Sequence, residues 1–246
     1  MMKRLIVSLQ FLTIIPWNNN LKMSEEDLGK SMLYFPLIGL LIGGSLAGLH
    51  YLLTFVLPQS IVDVLMVTFL VLITGSIHLD ALADTIDGIA SGKDRNEKLR
   101  IMKESSVGAM GVVAIVLDLL IKYLALTVLP ATSKTQSLLV MPMMGRWSQV
   151  IVAYFSNYAG LEKGLGFPFT EHVSMSALLG ATMMTLGCAF WLLLFKGIVI
   201  TGTIALLAFL GILFFKRSLG GITGDVLGAV NEFTEVAVLI LILAAF

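Results

Sequence analysis

Seven long apolar runs, separated by short polar stretches, make up most of the chain. They cover about Ser31–Leu57, Ser60–Ile77, Val107–Leu129, Thr135–Tyr158, Ser174–Phe195, Gly197–Phe215 and Val230–Phe246. Each approaches or exceeds the roughly 20 apolar residues that carry a helix across a bilayer. The polar stretches are Leu21–Lys30, where Ser24 followed by Glu25, Glu26 and Asp27 has the form of a helix start, Ser91–Lys103, the EKGLGFPFTEH segment and the KRSLGGITGD segment. The pattern predicts an all-α polytopic integral membrane bundle of about seven transmembrane helices. Before them, MMKRLIVSLQFLTIIPW has the basic end and short apolar core of a signal peptide. It lacks a small-residue cleavage site and ends in Pro16 and Trp17, which makes it a retained interfacial or re-entrant segment. In the first run Gly39, Gly43, Gly44 and Gly48 supply small residues at intervals of four, the spacing that lets helices approach closely in lipid. No period of 20 to 50 residues repeats, which excludes a solenoid.

Composition strengthens this reading. Charged residues are 13% of the chain, about half the share in soluble domains. The formal net charge is zero, so nothing draws the protein to nucleic acid. The single cysteine, Cys188, lies within an apolar run and reads as packing. Charge placement sets the orientation. With the N-terminus in the cytoplasm, the cytoplasmic segments hold Lys3, Arg4, Lys22, Lys30, Lys93, Arg95, Lys98, Arg100, Lys103, Lys163, Lys216 and Arg217. The opposite side holds Lys134 and Lys196. Twelve against two follows the positive-inside rule and puts the polar segments on the cytoplasmic face of a multi-pass cell-membrane protein.

The chemistry concentrates in two stretches. HLDALADTIDG, His78 to Gly88, places Asp80, Asp84 and Asp87 at intervals of four and three, on one helical face. A solvated face would mix in Lys or Arg, and none lies between His78 and Gly88. Three carboxylates so placed suit a hard divalent cation, Mg²⁺, which shares its oxygen ligands with substrate phosphates. The second stretch is GGITGDVLGAVNEFTE. Gly220, Gly221 and Gly224 admit close approach of backbone to a ligand, and amides near Thr223 at the following helix start suit phosphate oxygens. Asp225, Glu232 and Glu235 fall on one side of that helix, the two glutamates at depths where ionisable groups are expensive and usually functional. Arg146, inside the fourth run, needs an anionic partner: a pyrophosphate, or a carboxylate in a structural ion pair. Asp118 and Lys122, four apart, neutralise each other. His78 falls on the face opposite Asp80 and Asp84, in a packing or orienting position, and His50 and His172 join no constellation. Lys93, Asp94, Arg95, Arg100 and Lys103 form a basic loop beside the acidic motif, in reach of substrate phosphates.

These residues together resemble the cobalamin synthase family, the adenosylcobinamide-GDP ribazoletransferases. The similarity covers FPLIGLLIGG from Phe35, HLDALADTIDG from His78, DRNEKLRIMKESSVGAMG from Asp94, GLG at Gly164–Gly166 and LGGITGDVLGAVNEFTE from Leu219. Ala81 stands where the family has glycine, and Glu104 and Ser106 where it has aspartate and arginine, which leaves Lys103 or Arg100 to replace that arginine. The resemblance implies one membrane-embedded catalytic domain over 1–246. That domain joins adenosylcobinamide-GDP to α-ribazole or its 5′-phosphate and releases GMP. Asp80, Asp84, Asp87 and Arg146 are the expected catalytic residues, and Asp80, Asp84, Asp87 and Asp225 the expected Mg²⁺ ligands. Lys93, Arg100, Lys103, Gly220, Gly221, Thr223, Gly224, Asp225, Glu232 and Glu235 are expected to bind substrate. The implied partners are the two substrates and the lipid bilayer, with a second copy of the chain or other cobalamin-assembly enzymes as candidates and no nucleic acid. Two other readings of the same residues are a CDP-alcohol phosphotransferase and an ion-coupled transporter. The first is disfavoured by the motif spacing, the second by the absence of two related halves.

Overall fold

The computed structural model describes residues 2–16 and 23–245. Trp17, Leu21, Lys22 and Phe246 lie outside them, and with them the predicted end of the N-terminal segment, one charge of the tally and the last residue of the seventh run. Among the described residues, six helices are long and apolar enough to cross a membrane. The first is Glu25–Leu53, in which α2 (Glu25–Ser31) runs through a 3₁₀ turn into α3 (Phe35–Leu53). Ser24 starts it as expected, its side chain accepting from the Asp27 amide at 3.1 Å. It is preceded by α1 (Met2–Leu12), which is tied to α2 by a Lys3–Asp27 ion pair.

The second predicted span is not one helix. α4 (Gln59–Ile73) stops, Gly75 and Ser76 take left-handed backbone with φ of 61° and 60°, and α5 (Ile77–Ala90) leaves at 86°. Two successive left-handed residues end any right-handed helix, and Ser76 adopts that conformation without the freedom of glycine. The Ile14 amide, just beyond α1, donates to the Ile73 carbonyl at 2.9 Å, so the N-terminal segment satisfies a carbonyl that the break would leave bare. The α4–α5 pair makes a seventh crossing only if counted as one broken span.

After α6 (Arg95–Ile101), capped by Asp94, come α7 (Ala109–Val128), α8 (Ala131–Phe155), α9 (Phe167–His172), α10 (Met175–Leu193), α11 (Phe195–Leu219) and α12 (Gly224–Ala245). The sixth span therefore ends four residues later than expected and the seventh begins six residues earlier, which reduces the glycine-rich loop to 220–223.

α8 is the centre of the bundle, buried over most of its length. α3 lies against it through glycine: a Cβ on Gly39 would strike Pro142 backbone, and one on Gly43 the backbone of Leu138 and Leu139. Gly44 and Gly48 face open space and take no part in that contact. α12 packs on α8 and α5 in the same way, with Gly145 under Asn231 and Gly228 under Ala81. The methyl group of Ala81 thus fills the space that the glycine at 228 leaves.

Candidate functional site

At one end of the bundle, short loops are stitched together by backbone. Ile222 pairs with the strand-like residues 157–159, Ile222 N donating to Asn157 O at 3.0 Å and Ala159 N to Ile222 O at 2.8 Å. Arg95 clamps the same region, its Nε donating to Leu219 O at 2.6 Å and its Nη2 to Ala159 O at 3.3 Å. This residue of the basic loop therefore holds carbonyls of its own chain. Gly220 (φ 78°) packs on Arg95, a Cβ on Gly221 (φ 156°) would meet Asn157 O, and Gly224 crosses Gly166 backbone to backbone. Gly221 and Thr223 are buried, and Thr223 accepts from the Val226 amide at 3.3 Å as the cap of α12. The glycine loop serves this close crossing. Gly224 borders a cavity, together with Asp225.

The acidic motif divides. Asp80 is exposed and Asp84 half-buried. The strongest electrostatic neighbours of Asp84 are Asp80, Asp225, Lys103 and Asp87, three carboxylates and one ammonium. Asp225, in the first turn of α12, receives Lys103 Nζ at 3.1 Å and Thr223 Oγ1 at 3.3 Å. The expected grouping of Asp80, Asp84 and Asp225 beside Lys103 is thus present. Asp87 is engaged elsewhere: it accepts the amides of Gly108 at 2.6 Å and Gly111 at 2.8 Å, holding the start of α7. It sits so close that neither glycine has room for a Cβ. A carboxylate that accepts two amides at a helix N-terminus is placed by hydrogen bonds and the helix dipole, without a cation. In Asp87→Ala those amides lose a charged acceptor, and hydrogen exchange at Gly108 and Gly111 should accelerate on the order of tenfold or more. Asp87→Asn, which keeps one acceptor oxygen, should show a smaller change.

Other expected site residues lie apart from this group. Arg100 is held by Glu97 through two hydrogen bonds of 2.8 Å and by Glu104 at 2.6 Å. Hydrogen bonding to Arg100, reinforced by its charge, keeps the Glu97 carboxyl below its usual range, and the two glutamates raise the guanidinium in turn. Arg100 is thereby committed to partners in α6 and just past its end, and the expected phosphate contact would require it to leave both. Glu104 gains a use here that its position in the motif did not suggest. Lys93 is exposed, just past the left-handed Gly92.

Arg146 is fully buried and bonded to Glu235, with His78 Nδ1 3.4 Å from its Nη2. Of the two partners considered for it, the structure supplies the carboxylate, and the expected pyrophosphate contact is closed to it. Lys122 likewise binds Glu232, Glu235 at 2.8 Å and Asp118 at 3.1 Å. The expected Asp118–Lys122 pair exists but is shared with both glutamates. Asn231, unremarked in the sequence, donates to Glu232 at 3.0 Å and Glu235 at 3.1 Å. Glu232 and Glu235 therefore belong to a buried ionic network, separate from the Asp225 group. A second buried pair that the sequence did not signal is Asp63–Lys134 at 3.0 Å, which takes Lys134 out of the loop where charge counting put it. The transporter reading needed the Lys122–Arg146 set as a pathway, and its members are instead paired with one another.

Among the described residues no three His, Cys, Asp or Glu side chains form a ready metal-ligand set. Asp80, Asp84 and Asp225 are hard oxygen donors with an excess of negative charge that Lys103 only partly offsets. Such a set fits a divalent cation whose remaining ligands come from substrate phosphates, and does not fit one caged by protein alone.

An all-helical polytopic membrane protein with a carboxylate cluster among loops at one end of the bundle is what the fold and the site define. Residues 4–243 match the family model described as cobalamin-5-phosphate synthase, and the chain belongs to that family of transferases of cobalamin biosynthesis. Similar proteins named adenosylcobinamide-GDP ribazoletransferase occur in Geotalea daltonii, Desulforamulus reducens and Acetivibrio thermocellus. The first is 43% identical over 99% of this chain and 98% of its own. The second is 36% identical over 99% and 97%, and the third 33% over 98% and 97%. No solved structure matches the chain.

Proposed function

We propose that the protein joins adenosylcobinamide-GDP to α-ribazole or its 5′-phosphate, with release of GMP. The observation that carries this is the grouping of Asp80, Asp84 and Asp225 with Lys103, with Asp80 and Asp225 bordering a cavity, in a family whose relatives bear that name. A ribose hydroxyl of the acceptor attacks the phosphorus bonded to the aminopropanol of cobinamide. A new oxygen–phosphorus bond forms, the bond to the bridging oxygen of the pyrophosphate breaks, and GMP carries away that oxygen. The hydroxyl proton passes to Asp80, the carboxylate that borders the cavity on the α5 side. Lys103 offsets negative charge on the pyrophosphate. Mg²⁺, held by Asp80, Asp84 and Asp225, would supply neutralisation of the charge that shifts to the leaving phosphate. Asp87 fixes the position of α5 against α7 and touches no substrate.

The site faces the cytoplasm in this reading, since Lys93, Arg95, Lys98, Arg100, Lys103, Lys216 and Arg217 lie at the same end of the bundle. The test is GMP release from adenosylcobinamide-GDP and α-ribazole by detergent-purified protein, with Mg²⁺ and with EDTA. Release that depends on Mg²⁺ and matches cobalamin formed mole for mole is expected. A folded protein that releases no GMP would return the CDP-alcohol phosphotransferase reading to first place.

A further inference from the structure

Beside Asp80 and Asp225 lies a cavity of about 150 Å³ whose far wall is aromatic. Phe11 of α1, Phe35 at the start of α3 and Phe169 of α9 meet there, with ring centroids 4.6 Å apart for Phe11–Phe169, 5.6 Å for Phe35–Phe169 and 6.2 Å for Phe11–Phe35. Three elements far apart in sequence thus converge on one apolar surface next to the carboxylates. A second feature of the wall is Gln149 of α8, only 3% exposed. Its Nε2 donates to Leu227 O at 3.2 Å and lies 3.1 Å from His78 Nε2. A carbonyl only accepts, so the amide must present its nitrogen to Leu227, and Oε1 is left with no hydrogen-bond partner. An unmet buried acceptor in the lining of a cavity calls for a ligand hydroxyl or N–H.

We infer that this cavity seats the acceptor nucleoside, with its aromatic base against Phe11, Phe35 and Phe169 and a ribose hydroxyl donated to Gln149 Oε1. The inference rests on the ribazoletransferase reading and extends it by naming the subsite. Volume is the first argument: the cavity admits a two-ring base and excludes a corrin macrocycle. Polarity is the second. A benzimidazole with alkyl substituents has a hydrocarbon edge that a phenyl wall leaves nothing to strand, whereas guanine would lose its hydrogen-bonding edge there. Position is the third. Asp80 and Asp225 border the same cavity, so a ribose whose base sits on the phenyl wall has its hydroxyls beside the carboxylate that takes the proton.

The test uses α-ribazole alone, titrated by its own fluorescence into the full-length protein in detergent, followed by steady-state kinetics. The variants are Gln149→Leu and Phe11→Leu, each checked for folding by thermal melting, and Phe11 is the least buried of the three rings. Binding of α-ribazole should weaken on the order of tenfold in Gln149→Leu and severalfold in Phe11→Leu. KM for α-ribazole should rise in step, while KM for adenosylcobinamide-GDP stays within about twofold. Unchanged α-ribazole affinity in two folded variants would overturn the inference, as would a rise confined to KM for adenosylcobinamide-GDP. Competition by GMP against α-ribazole would assign the cavity to guanine and also overturn it. These results arise only with an active wild-type protein. A wild type that neither binds α-ribazole nor releases GMP removes the functional reading itself, and the subsite with it.

Discussion

Asp84→Asn should yield a protein that folds as well as the wild type, or better, and turns over slower by roughly 10³-fold or more. Both halves of that result follow from its neighbours. Asp84 is half-buried among Asp80, Asp225 and Asp87, with the Lys103 ammonium near it. Replacing its carboxylate by a neutral amide relieves repulsion among like charges in the resting protein, so the melting temperature should stay level or rise. The same change halves the acceptor capacity of the side chain and removes a unit of charge from the group proposed to face the pyrophosphate. Stability and activity then move in opposite directions, as expected where a protein holds an unfavourable arrangement for function. The measurement is GMP release and thermal melting on one preparation. Turnover within about tenfold of wild type would take Asp84 out of the reacting group and leave Asp80 and Asp225 to be tested in its place.

Lys122→Met should be the most destabilising change in the chain. Lys122 is almost fully buried and sits among Asp118, Glu232 and Glu235, while Arg146 is the only other cation of the network and is bonded to Glu235. Two cations thus face three carboxylates, and removing one leaves buried negative charge with half its compensation. Breaking a buried pair by deleting one partner costs about 3–5 kcal/mol, comparable with much of the stability of a folded domain. The expected result is a steep fall in folded yield from membranes and in melting temperature. Adding Glu232→Gln to Lys122→Met should recover a substantial part of the loss, since it removes the charge left behind. Loss of activity alone, with unchanged melting, would mean that Lys122 acts on substrate rather than on the fold.

These two results separate residues that the sequence presents alike. Intramembrane Asp118, Lys122, Arg146, Glu232 and Glu235 all carry the mark of costly, purposeful charge, and spacing showed that Asp118 can reach Lys122. It could not show that Arg146 would choose Glu235, because that choice depends on α8 and α12 packing through Gly145, eighty-six residues before Asn231. The one-face argument for Asp80 and Asp84 holds, since a helix fixes it locally. It fails to describe Asp87 because the competing ligands, the Gly108 and Gly111 amides, belong to the next long helix. The helix start at Ser24 was legible from local chemistry, and so was the glycine spacing at Gly39 and Gly43, whereas α6 lies in a stretch that reads as a loop. The break after Ile73 was not: a hydropathy profile sees an apolar run, and only the two left-handed residues at Gly75 and Ser76 turn it aside. The phenyl wall joins α1, α3 and α9 and has no counterpart in any single window of sequence.

The position of α8 bears on how the protein is made. It is the least apolar of the helices able to cross and also the one most enclosed by others. It carries Arg146, Gln149 and Lys134 into the interior, where an arginine at mid-bilayer costs an isolated helix about 2.5–3.5 kcal/mol on insertion. The partner of Lys134 is Asp63, made earlier, but that of Arg146 is Glu235, on α12 and 89 residues later in the chain. During synthesis the central helix therefore waits, half neutralised, against earlier helices or the insertion machinery until α12 arrives. Closure of the bundle around α8 then waits on translation of α12.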